Sequence, residues 1–97
     1  MKHIVLFRFQ PGYMNEQVLE RGRNAFEQLR QALPEDIRGI EIRQNIVQRE
    51  GNFDLAVEMD LAAEAALDIY LKHPIHTALV QEWVPHLSGR ASIDYEN

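Results

Sequence analysis

From Lys2 to Phe9, apolar side chains occupy both parities of an extended chain: His3, Val5, Phe7 and Phe9 on one, Ile4 and Leu6 with Arg8 on the other. The run is rich in β-branched and aromatic residues, which predicts a strand covered on both faces. Pro11-Gly12 ends it in a turn. From Asn15 to Leu33 the period becomes helical. Val18, Gly22, Ala25, Phe26, Leu29, Ala32 and Leu33 form one stripe, with charged residues such as Glu20, Arg23, Glu27 and Arg30 on the wet side. Asn15 suits the N-cap, Glu16 the first turn and Pro34 the stop. Gly22 lies within the apolar stripe, where it costs about 1 kcal/mol against alanine. Its presence there predicts close helix-on-sheet packing, or room for a ligand beneath the helix.

The second half predicts strands at Ile40 to Val47 and Phe53 to Met59, joined by a turn at Glu50-Gly51-Asn52. Helices follow from Ala62 to Leu71 and from Pro74 to about Leu87, with Pro85 disturbing the last turn. A short strand, Ala91 to Tyr95, closes the chain. This order is that of a ferredoxin-like α+β domain, a four-stranded antiparallel sheet with helices on one face. A single domain spanning residues 1–97 is expected. Helices on one face cannot cover Ile4 and Leu6, so a homodimer packed through the sheet face is expected, as a dimeric α+β barrel. Arg8 would need a carboxylate at that interface, and Asp54 is the candidate.

Composition narrows the partners. The 97 residues carry a formal net charge of -5, which argues against nucleic acid, whose phosphates require a basic face. There are no cysteines, which excludes disulfides and thiol chemistry. The apolar run Ile4-Val5-Leu6-Phe7 is too short for a signal peptide or membrane span, and no basic amphipathic stretch suggests a membrane surface. A cytoplasmic location is the default expectation.

The candidate chemistry lies in Tyr70-Leu71-Lys72-His73-Pro74-Ile75-His76. Pro74 suits the first helical position, which puts His73 at the N-cap and His76 in the first turn. The positive end of the helix dipole disfavours an imidazolium, so His76 is expected to be neutral near pH 7, the form a general base requires. Tyr70 is placed to donate to a developing oxyanion. His3 shares a face with Val5 and Phe7, either as a hydrogen-bonded core residue or as part of a pocket under the last two helices. Taken singly, each residue also has a structural reading: Tyr70 as packing, His73 as a cap, His86 as solvated. A metal site drawn from His3, His73 and His76 is not expected, because the proline bend disturbs their spacing and no acidic residue completes the set.

The opening K-H-I-V-L-F-R-F, the G-N-F-D-L-A-V stretch and above all Y-L-K-H-P-I-H resemble the stress-responsive dimeric α/β-barrel family, in order and over nearly the whole chain. The resemblance implies a dimeric ferredoxin-like barrel. It also implies, by way of a plant polyketide cyclase in the family, cofactor-free aldol chemistry on a poly-β-keto compound. Carried across by motif, the catalytic residues would be His3, Tyr70 and His76, with His73 structural. The residues that shape the cyclase's substrate pocket form no recognisable motif here. The expected function is thus a cofactor-free lyase or cyclase acting on a small carbonyl compound, with His76 as base. Alternatives are a non-enzymatic protein binding a small apolar or carbonyl ligand, and a cofactor-free monooxygenase, the latter by fold analogy alone.

Overall fold

β1 (Lys2–Phe9) runs through the middle of a four-stranded sheet, paired antiparallel with β3 (Leu55–Leu61) on one side and β4 (Leu87–Tyr95) on the other. β2 (Ile37–Gln44) completes the order β2-β3-β1-β4. The computed structural model describes all 97 residues, Met1–Asn97. Helices α1 (Glu16–Ala32), α2 (Glu64–Lys72) and α3 (Pro74–Trp83) complete the ferredoxin-like α+β fold. A single 3₁₀ turn, Val84–His86, leads into β4.

The Asn15 side chain accepts from the Val18 N–H at 2.9 Å and so caps α1, as its position at the start of the apolar stripe predicts. That stripe buries Val18, Phe26 and Leu29, joined by Leu19 while Ala32 stays exposed, against the inner sheet face, where Leu55, Val57, Met59 and Leu61 alternate inward. Each such side chain contributes roughly 1.5–3 kcal/mol by leaving water. Gly22 is resolved in favour of close packing. A Cβ there would lie 2.6 Å from Cζ2 of the buried Trp83, so the indole occupies the space a side chain would need.

Several boundaries differ from the sequence reading. β2 begins at Ile37 rather than Ile40 and ends before Ile46, which is 92% exposed. The apolar Ile46 and Val47 mimic a strand pattern, but residues 45–54 form a loop held by the Asn45 side chain on the Val47 carbonyl and turned at Gly51 (φ +88°). β4 starts at Leu87, earlier than predicted, because α3 stops at Trp83 and Pro85 admits only the 3₁₀ turn. Asp54 does not pair with Arg8. Its Oδ2 accepts from the Phe9 N–H at 2.8 Å, while the Arg8 guanidinium lies 4.9 Å from the Phe53 ring centroid and its Nε donates to Ser88 Oγ at 3.3 Å. His86 is exposed as expected, but its ring stacks on Tyr13 at 4.0 Å.

The outer face of the sheet carries no helix. There the register sets Ile4 beside Ile93 and Leu6 between Ala56 and Ala91. Ile93 is 58% exposed.

Candidate functional site

The residue before a proline is driven out of the α region, and His73 accordingly adopts φ -65°, ψ 138°. This ends α2 and begins α3 at one residue. His73 Nδ1 accepts from the Ile75 N–H at 3.1 Å, so the ring is a cap and does not reach the site. The bend brings the last turn of α2 against the first turn of α3. Tyr70 and His76 meet edge-on, with ring centroids 4.5 Å apart at 61°. Tyr70 also meets His3 of β1 edge-on, at 5.8 Å and 62°.

All three rings line one cavity of about 260 Å³ between β1, β4 and the α2–α3 pair. Val5, Phe7, Leu67, Leu71 and Val80 supply its apolar wall. Arg90, Ser92 and Asp94 of β4 supply further polar groups, because the register places them opposite Phe7, Val5 and His3. The sequence reading missed these three. The signal was alternation on the last strand: Arg90, Ser92 and Asp94 share the parity that faces the helices, whereas Ala91, Ile93 and Tyr95 share the apolar outer parity. A polar parity turned towards a core marks a pocket. Roomier hollows exist, about 380 Å³ on the outer sheet face and about 530 Å³ on the solvent side of α1, but neither gathers titratable rings.

Both histidines are hydrogen-bonded through Nδ1, and for His76 the partner fixes the tautomer. His76 Nδ1 lies 3.0 Å from the Leu71 carbonyl, which can only accept, so Nδ1 carries the hydrogen. The lone pair of neutral His76 is therefore on Nε2. Its pKa is lowered chiefly by burial, opposed by the bond to Leu71, with His3 and Arg90 adding to the lowering. The ring is neutral chiefly through burial, rather than through the helix dipole that its first-turn position suggests. His3, 6% exposed, is hydrogen-bonded through Nδ1 to the Asp94 carboxylate, an arrangement that likewise leaves Nε2 free of that partner. Tyr70 is 2% exposed, and burial pushes its hydroxyl far above the usual phenol range, so it remains a proton donor at any ordinary pH. No three His, Asp or Glu side chains are disposed to hold a metal ion.

The chain belongs to the stress responsive A/B barrel domain family, which it matches over residues 1–97. No curated protein sequence is similar to it. Among solved structures it is similar to a dimeric ferredoxin-like protein of unknown function from Thermobifida fusca, at 29% identity and TM-score 0.77, covering 95% of this chain and 85% of that one. It is similar in fold to the hydroxynitrile lyase of Passiflora edulis, at 15% identity and TM-score 0.77, covering 97% and 89%. An antibiotic biosynthesis monooxygenase is similar in fold at 20% identity and TM-score 0.73, covering 99% and 98%. No helix is long and apolar enough to cross a membrane.

Proposed function

We propose that this protein is a cofactor-free lyase or cyclase acting on a small carbonyl compound, with His76 as general base. The observation that carries the reading is the convergence of the Tyr70 hydroxyl and two histidines on one apolar-walled cavity, with His76 held neutral and its Nδ1 engaged by Leu71. Convergent polar groups in such a site are the usual signature of small-molecule chemistry. His76 Nε2 takes a proton from the carbon beside a carbonyl, and the electron pair moves to the carbonyl oxygen. Tyr70 donates a hydrogen bond to that enolate oxygen. The enolate carbon then attacks a second carbonyl carbon, whose π electrons move to its oxygen and take the proton back from His76, or the enolate carbon itself regains that proton. The His3–Asp94 pair lines the same cavity beside Tyr70 and orients the carbonyl compound. The Passiflora hydroxynitrile lyase shows that this fold can carry lyase activity.

The protein acts as a homodimer in this reading, with the bare sheet face around Ile4, Leu6 and Ile93 as the interface. The exposure of Ile93 and the dimeric Thermobifida relative support it.

The test is to compare wild type with His76→Ala on any ligand that binds. An enzyme of this kind loses turnover while most of the binding survives. A cavity that binds without turnover in the wild type makes the protein a ligand carrier instead, and oxygen uptake with a quinol-like compound makes it a monooxygenase.

A further inference from the structure

One charge in the cavity has no partner. Asp94 is matched by His3, and on the outer surface Arg21, Arg30 and Arg43 are matched by Glu82, Glu27 and Glu58. Arg90 has neither an ion pair nor a side-chain hydrogen bond, yet it lines the same cavity as His3, Tyr70 and His76. Arg23, Arg38 and Arg49 are also unpaired, but none of them lines this cavity. We propose that Arg90 is the anion-binding residue of the site, and that the ligand is a carbonyl compound carrying a carboxylate. The inference rests on the carbonyl chemistry proposed above and names its substrate class.

The placement gives the cavity two ends. Arg90 and Asp94 stand four residues apart on one face of β4, about 13 Å along the strand at roughly 3.3 Å per residue. The Arg90 end attracts an anion, whereas at the other end the Asp94 carboxylate is already engaged by His3. A ligand with a carboxylate at one terminus is therefore held in one direction, its carboxylate at Arg90 and the carbonyl beside it turned towards His76 in the same cavity. The positive charge of Arg90 already reaches His76, where it helps to keep the imidazole unprotonated. A planar guanidinium matches the two oxygens of a carboxylate in a fork, which favours this anion over a spherical one. The exposure of Arg90 at the rim lets the charge be captured first and the apolar body follow.

The probes are phenylpyruvate and phenylacetone, enolisable ketones that differ in a carboxylate against a methyl group. Wild type is expected to bind phenylpyruvate at least about tenfold more tightly, and Arg90→Gln to lose that preference while binding phenylacetone as before. Arg90→Lys should recover only part of it, since a point charge lacks the fork. Equal affinity of wild type for the two ketones, a preference that persists in Arg90→Gln, or no saturable binding of phenylpyruvate would each overturn the assignment. Displacement of phenylpyruvate by an equal concentration of inorganic phosphate would overturn the choice of carboxylate. His76→Ala, titrated in parallel, should keep the preference. If wild type prefers phenylpyruvate but exchanges no α-proton, the general-base reading fails and the role of Arg90 stands.

Discussion

Tyr70 and His76 belong to different helices, yet their rings sit 4.5 Å apart because His73-Pro74 ends one helix and starts the next within a single residue. The proline that separates the two helices also makes the contact. Through it a buried phenol and a half-buried imidazole share one cavity, and each is held in the protonation state that acid–base work on a carbonyl requires.

Removal of the Tyr70 hydroxyl separates chemistry from packing. The Tyr70 ring is held by burial and by edge-on contacts with His3 and His76, all of which phenylalanine keeps, so Tyr70→Phe should melt within a few degrees of wild type. Loss of an oxyanion donor should slow turnover by on the order of 10²-fold. Thermal denaturation and initial rates, measured on the same sample, check both halves.

The depressed pKa of His76 has a consequence for stability. The unfolded chain binds this proton near the ordinary histidine value of about 6.5, whereas the folded chain binds it only at lower pH. Between those two values the unfolded state holds more protons, so stability rises with pH there and levels off above the ordinary value. His76→Gln should flatten that part of a stability-against-pH curve obtained by urea denaturation at several pH values.

His73 offers a control with no chemistry attached. His73→Ala removes the acceptor for the Ile75 N–H and should cost about 1 kcal/mol, while His73→Asn, a good N-cap, should recover most of it. Ligand affinity should change little in either variant, because the His73 ring lies outside the cavity.

Gly22 and Trp83 should prove coupled. Gly22→Ala gains about 1 kcal/mol of helix propensity but drives a methyl into the indole, for a net loss of about 1–3 kcal/mol. In a Trp83→Phe background the clash is relieved and the same substitution should become neutral or stabilising. The Trp83 N–H has no hydrogen-bond partner, so its removal forfeits no bond. A double-mutant cycle by chemical denaturation measures the coupling.

Much of this was readable from residue order. β1, α1 with its Asn15 cap and the helix joint at His73-Pro74 all follow from local pattern, because proline, N-caps and alternation act over a few residues. The errors fell where local pattern and tertiary pairing part company. Ile46 and Val47 look like strand residues, but β3 has no residues to pair with them once the loop turns at Gly51. The pairing of Asp54 with the Phe9 backbone and of Asp94 with His3 depends on registers between strands far apart in sequence. For the same reason the sequence offered the three rings of the site but neither the carboxylate behind His3 nor the cation of Arg90.

The bare sheet face can be tested by one charge. Ile93→Lys, placed among Ile4 and its neighbours, should turn a dimer into a monomer in light scattering at micromolar concentration. An unchanged dimer would put the interface elsewhere.

Removal of a proton from carbon by His76 is read most directly by α-deuterium exchange followed by NMR, which needs no knowledge of the natural substrate. With phenylpyruvate in D₂O, catalysed exchange is expected, at a rate that rises with pH through a midpoint below about 6.5, is lost in His76→Ala and is reduced in Tyr70→Phe. Exchange no faster than in buffer, or equally fast without the His76 imidazole, would contradict it.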